Sequence, residues 1–207
     1  MNIIIFGATG SVGRHLVAQA CSQGHNVTAF GRSVGGITQR HPGLKFVVGD
    51  VLDAGAVADA VRGHDAVLCA LGAGRNGIVR AKGTANIIEA MRRHGIKRLI
   101  CQSTLGAGDS AVHLNFFWKY IMFGLLLRPA FADHAEQESR VLASGLDWTI
   151  VRPAAFTDGP ATGAYKHGFP ETEEGLTLKI SRADVAAFML AQLTDGRYLR
   201  KTPGLSY

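Results

Sequence analysis

The stretch Gly7-Ala8-Thr9-Gly10-Ser11-Val12-Gly13 stands directly behind the apolar run Ile3 to Phe6 and ahead of Val12, Leu16, Ala20 and Cys21, which share one helical face. Glycine loses more backbone entropy on folding than any other residue, so three of them at three-residue spacing mark a backbone doing what side chains forbid. Between a strand and a helix, this spacing is the fingerprint of a turn that receives a pyrophosphate. Gly7 is expected to turn tightly off the strand, Gly10 to admit the pyrophosphate beside the backbone, and Gly13 to let the helix approach the sheet. Ala8, Thr9, Ser11 and Val12 complete the cradle, and the free amides of the helix N-terminus meet the negative charge.

The rest of the chain continues the alternation of short apolar runs and helical patterns that builds a parallel sheet. Expected strands are Ile3 to Phe6, Asn26 to Phe30, Lys45 to Val48, Ala66 to Ala70, Arg98 to Gln102 and Trp148 to Arg152. Their continuous hydrophobicity is that of strands covered on both faces. Ile78, Ala81, Ala85, Ile88 and Met91 recur at helical spacing, and Gly24 and Gly95 stand where helix C-terminal caps belong. The fold class is therefore α/β: a Rossmann-type doubly wound parallel sheet, a single domain over residues 1–207, with substrate-side elements from about 105 to 180. In the C-terminal third, Pro153 to Pro170 is loop-like, Leu176 to Ile180 is a candidate strand, and Arg182 to Leu193 a helix with Ser181 as its N-cap.

Composition narrows the function classes. Hydrophobic residues make up 47% and charged residues 18%, which suits an ordered globular protein. The net charge of +6 is not gathered into an aromatic-interleaved basic motif, which argues against nucleic acid as partner and fits a phosphate-bearing small molecule. Cys21, Cys69 and Cys101 lack CxxC spacing and neighbouring histidines, so neither a disulfide framework nor a metal site is expected. The N-terminus carries no targeting pattern, and a cytoplasmic protein is expected. The most apolar stretch, His113 to Leu127, contains Asn115 and Lys119 and is short for a bilayer span. It reads as a buried helix, a pocket wall or a homodimer contact in a chain that is otherwise a monomer, without stable membrane insertion.

The cofactor is read from the strand ends. After the second strand the sequence Phe30-Gly31-Arg32-Ser33 offers no carboxylate for a ribose 2′-hydroxyl; Arg32 and Ser33 instead suit a 2′-phosphate, favouring NADP(H) over NAD(H). After the third, Asp50, followed by Val51, either accepts from the adenine amino group or caps the next helix. An open sheet binds ligands beyond the carboxyl ends of its strands, which selects Leu71, Gly72 and Arg75, then Cys101, Gln102, Ser103 and Thr104, then Pro153 and Ala154. A Tyr–Lys pair four residues apart, which would protonate an alkoxide, is missing: Tyr120, Tyr165 and Tyr198 are followed at that distance by Gly124, Phe169 and Thr202. Hydride transfer to a conjugated ring, with the proton from solvent, makes weaker demands.

The motifs GATGSVG, VVGDVLDAGAV, DAVLCALGAGRN, GTANIIEAMRRHGIKR, CQSTLG, SGLDWTIVRPAAFTDGPATGAY and ISRADVAAFML together resemble the atypical short-chain dehydrogenase/reductases of the NAD(P)-binding, NmrA-like family, and within it the flavin and biliverdin-IXβ reductases. The resemblance implies an NADPH-dependent reductase of a flavin, bilin or similar small-molecule acceptor, with flavin as substrate and not as bound cofactor. It also implies an active-site role for Ser103, and one for His134 against an anionic substrate. Two features of those reductases are replaced here: a histidine after the sixth strand, where Pro153-Ala154-Ala155 stands, and a second phosphate-binding arginine near Gly36. The NmrA-like resemblance also admits a non-catalytic NADP(H) sensor as the alternative.

Overall fold

A computed structural model describes residues 1–33, 37, 40–72, 77–113 and 127–207. Eight strands form the main sheet: β1 (Asn2–Phe6), β2 (Asn26–Gly31), β3 (Leu44–Val48), β4 (Ala66–Cys69), β5 (Arg98–Gln102), β6 (Asp147–Pro153), β8 (Lys166–His167) and β10 (Gly204–Ser206). Their order is β3-β2-β1-β4-β5-β6-β10-β8, and all neighbours are parallel except β10 and β8. The six strands expected from the sequence are present in the doubly wound order that places a ligand crevice where β1 and β4 diverge. A small second sheet pairs β7 (Ala155–Thr157) with β9 (Lys179–Ser181).

Each face of the sheet carries its own apolar layer. The helices α1 (Gly13–Ser22) and α5 (Arg182–Ala191) cover Ile3 and Ile5, with Leu16, Val17, Val185 and Met189 completing that layer. On the other face α2 (Ala54–Val61), α3 (Val79–Arg93) and α4 (Arg128–Leu142) lie side by side over Ile4, Phe6, Phe30 and Leu99. Ile3, Ile4, Ile5 and Phe6 are all fully buried, which is why β1 reads as an unbroken apolar run. Burying one such side chain stabilises the fold by roughly 1.5–3 kcal/mol, and truncating it to Ala costs about 2–5 kcal/mol with the cavity included.

The helix ends show where sequence and structure part. Gly24 and Gly95 close α1 and α3 with positive φ, each donating to the carbonyl three residues back while the next residue reaches five back. Ser181 caps α5, its Oγ accepting from the Asp184 amide at 3.0 Å. The cap of α2 is Asp53, whose Oδ1 accepts from Gly55 and Ala56, whereas Asp50 closes a tight turn by accepting from Leu52. Ile78 is not part of the α3 face: it precedes the helix at φ 82°, is exposed, and leaves Arg80 among the buried residues of the first turn. The expected strand Leu176 to Ile180 begins later, at Lys179, because Leu178 takes a left-handed φ of 54°. The strands β8 and β10 have no signal of their own in the sequence.

Candidate functional site

The glycine turn divides its tasks differently from the expectation. Gly7 has φ 79°, and a Cβ there would lie 2.2 Å from the Ala70 carbonyl oxygen at the end of β4. Gly7 therefore supplies both the turn and the close approach to the sheet. A Cβ on Gly13 would lie 2.0 Å from the Gly7 carbonyl oxygen and 2.8 Å from Ala8 Cα, so α1 is seated on the turn itself. Gly10 is less crowded, with Gly7 O at 3.1 Å from the corresponding position, and it lines a cavity at the strand ends. No side chain caps the start of α1 and no acidic residue sits in its first turn, so nothing offsets the positive end of the helix dipole there, although the Arg14 amide is already spent on Gly10 O at 3.1 Å. Arg14 Nε donates to Thr9 O at 3.0 Å and pins the turn from outside.

Beyond the carboxyl ends of β1, β4, β5 and β6 opens a cavity of about 340 Å³. Eleven of the residues selected from the sequence line it: Gly10, Ser11, Val12, Leu71, Gly72, Gln102, Ser103, Thr104, Pro153, Ala154 and His134. Its remaining wall is mainly apolar, with Leu105, Leu127, Phe156 and Leu178, and includes Arg80, which sequence reasoning did not select. Ser103 is 2% exposed and its amide donates to Val151 O at 2.8 Å, which ties the end of β5 to β6. The side-chain oxygens of Ser103 and Gln102, His134 Nδ1 and Arg80 Nε are buried without a partner among the described residues. Orphaned buried polar atoms are costly, and four of them belong to side chains that line this one cavity, which marks it as the candidate ligand site.

The other expected site residues lie outside this cavity. Gly7, Ala8, Thr9 and Gly13 form the turn behind it; Arg32, Ser33 and Asp50 are exposed at the ends of β2 and β3. Arg32 has no side-chain partner among the described residues. Val51 and Cys101 belong to the apolar layer under α3. There Cys101 stands in register with Cys69 on the neighbouring strand, and that contact, together with burial, pushes its thiol well up. Arg75 lies outside the described residues, as do residues 114–126 of the apolar segment His113 to Leu127, for which a buried helix, a pocket wall and a homodimer contact are the expectations.

Two residues of α4 organise one wall. Asp133, 5% exposed, accepts from the Arg80 and Ala81 amides at 3.1 and 3.0 Å and from Arg80 Nη1 at 3.4 Å. It thus caps α3, whose own N-cap position is Ile78 and supplies no side-chain acceptor. The neighbouring His134 is held down to about 3 by burial and by the positive Arg80 nearby, so its imidazole is neutral at physiological pH. Among the described residues, no group of three or more His, Cys, Asp or Glu side chains could hold a metal ion, and no helix is long and apolar enough to cross a membrane.

A doubly wound sheet, a glycine turn feeding an uncapped helix and a cavity at the switch point define a Rossmann-type dinucleotide-binding protein. The chain belongs to the NAD(P)H-binding family, whose model matches residues 7–196. It is 29% identical over 205 residues to the UPF0659 protein YMR090W of Saccharomyces cerevisiae, covering 93% of this chain and 87% of that one. Some other curated relatives are longer, and the chain spans 61% of the length of one and 12% of that of another. Among solved structures it is similar to the anaerobilin reductase ChuY of Escherichia coli O157:H7, with a TM-score of 0.81, 26% identity, and coverage of 99% and 96% of the two chains. A short-chain dehydrogenase/reductase from Veillonella parvula in complex with NADP shares the fold, with a TM-score of 0.83, 21% identity, and coverage of 100% and 94%.

Proposed function

We propose that this protein is an NADPH-dependent reductase that delivers hydride to a flat conjugated acceptor of flavin or bilin type. The observation that carries the reading is the cavity itself: mainly apolar walls of Leu105, Leu127, Phe156 and Leu178 around the unpartnered oxygens of Ser103 and Gln102. Its volume of about 340 Å³ is in the range of small-molecule pockets. The likeness to an anaerobilin reductase supports the acceptor class, and the NADP complex of a structural neighbour supports the cofactor.

The residues present fit the dinucleotide. Gly7 to Gly13 would hold the pyrophosphate, with Gly10 leaving open the space a Cβ would fill. Arg32 and Ser33 would take the 2′-phosphate, and Asp50, with Val51 behind it, the adenine side. Leu71 and Gly72 would border the ribose, and Pro153 and Ala154 the nicotinamide face. When bound, the reduced cofactor supplies a hydride, two electrons with one hydrogen nucleus, while the acceptor takes a proton from water.

Ser103 Oγ would donate to a polar atom of the nicotinamide amide or of the acceptor, orienting one ring against the other. Gln102 Oε1 would accept from the same group of atoms. The apolar wall excludes water from the transfer path and stacks the acceptor, so positioning supplies most of the rate. His134, neutral, would act by contact and hydrogen bonding, not as an imidazolium acid.

The test is turnover. Purified protein mixed with NADPH and, separately, FMN, biliverdin or menadione is expected to oxidise NADPH with at least one acceptor. Tight NADPH binding with no turnover on any of them would instead favour a redox sensor.

A further inference from the structure

We propose that Arg80 anchors the acceptor through an anionic substituent, so that the substrate class is a conjugated acceptor carrying a carboxylate or phosphate away from the reduced ring. The inference rests on the reductase reading for what the acceptor is, and on geometry for what holds it. Arg80 is 8% exposed, lines the cavity, and keeps its Nε buried without a partner among the described residues. Among the described residues on the cavity wall, only Arg80 and His134 are ionisable, and no carboxylate shares the wall with them.

The state of the guanidinium decides what it can bind. Nη1 is committed to Asp133 at 3.4 Å. What remains is the edge formed by Nε and Nη2, which grips a carboxylate or phosphate through two parallel hydrogen bonds. Asp133 does not cancel this charge. Its two oxygens also accept the Arg80 and Ala81 amides, so much of its negative charge is spent on the positive N-terminus of α3. Asp133 therefore acts as a positioning residue: it fixes the first turn of α3 and one side of the guanidinium, and leaves the Nε side of a residue that lines the cavity without a partner among the described residues. A neutral acceptor would leave that edge desolvated and unpaired, a penalty that an anionic acceptor removes.

The experiment compares ligands that differ only in charge: biliverdin against its dimethyl ester, and FMN against riboflavin. Binding to the complex of the protein with NADP⁺ is followed by calorimetry in the wild type, Arg80→Gln and Arg80→Lys, with NADPH affinity measured in parallel. The wild type is expected to bind the anionic member of at least one pair about 10- to 100-fold more tightly. Arg80→Gln should abolish that difference and leave NADPH affinity unchanged, while Arg80→Lys, which keeps the charge without the fork, should retain part of it. Equal affinity within both pairs, no binding by any of the four, or discrimination that survives in Arg80→Gln would overturn the proposal. A parallel loss of NADPH affinity would overturn it too, by placing Arg80 on the cofactor. Should Arg80→Gln fail to fold, Arg80→Lys alone decides: discrimination equal to wild type overturns the bidentate contact. Discrimination without turnover would sink the reductase reading and leave the anion site standing; turnover without discrimination would do the reverse.

Discussion

Asp133 caps the helix that carries Arg80 and pairs with the Arg80 side chain as well, so a single carboxylate of α4 fixes both the backbone and the guanidinium at the start of α3. The local sequence explains why the cap comes from so far away. Ile78, at the N-cap position, cannot accept a hydrogen bond with its side chain and holds a φ of 82° that β-branched residues rarely adopt. Asp133→Ala is therefore expected to remove a helix cap and to strand a buried charge, at a combined cost of about 3 kcal/mol or more. Asp133→Asn, which keeps an acceptor oxygen for the amides, should cost less. Urea unfolding of the two variants checks the order; equal losses would mean that the cap contributes nothing.

The three glycines of the turn should separate into structural and ligand-facing positions. Gly7→Ala places a Cβ 2.2 Å from Ala70 O at a φ of 79°, and Gly13→Ala places one 2.0 Å from Gly7 O. Both neighbours are backbone atoms and cannot yield cheaply, so each substitution is expected to cost about 3 kcal/mol or to prevent folding. In Gly10→Ala the contact is 3.1 Å and the added methyl faces the cavity, so stability should change by less than about 1 kcal/mol while NADPH binding weakens. Thermal unfolding with and without NADPH reads both quantities. A Gly10→Ala protein that unfolds as readily as Gly7→Ala would refute the division.

Arg32 offers the cleanest test of cofactor choice because it is exposed and no described residue shares its guanidinium. Arg32→Ala should leave the unfolding midpoint unchanged and weaken NADPH by about 10- to 100-fold, with NADH affected little. Fluorescence titration with the two cofactors decides. Equal losses for both would remove the 2′-phosphate from Arg32.

What the sequence made legible follows from how locally each feature is encoded. The strands β1, β2, β4, β5 and β6 are buried on both faces, so each announces itself as a mainly apolar run, broken by Thr28 in β2 and by Thr149 in β6, and the glycine turn is contiguous. The cavity floor was legible as well, because in this topology the strand ends Leu71, Gln102, Ser103, Pro153 and Ala154 must converge. Arg80 was not, since its burial depends on a carboxylate 53 residues away. The apparent helical face led by Ile78 concealed it further, for counting that residue into the helix turns Arg80 outward. The strands β8 and β10, of two and three residues, exist only through pairing with each other and with β6.

The neutrality of His134 predicts how stability depends on pH. Burial and the Arg80 charge hold its folded-state value down to about 3, whereas in the unfolded chain it lies near the ordinary 6.5. Between those two values the unfolded chain binds the proton and the folded chain does not, so this group makes stability rise with pH through that window and adds no slope above it. The slope cannot exceed about 1.4 kcal/mol per pH unit. His134→Gln, which is uncharged and of similar polarity, should lose less stability than the wild type between about pH 7 and pH 4.5. Asp109 and Asp184, held low chiefly by hydrogen bonds from Arg152 and from Tyr207 with the neighbouring amides and hydroxyls, also favour the folded state at higher pH, but equally in both proteins. Urea midpoints measured across that range isolate the histidine. The same argument fixes its kinetic signature: wild type and His134→Gln should share the shape of their pH–rate profiles over the same range, and an acid limb near 6.5 present only in the wild type would show that His134 titrates after all.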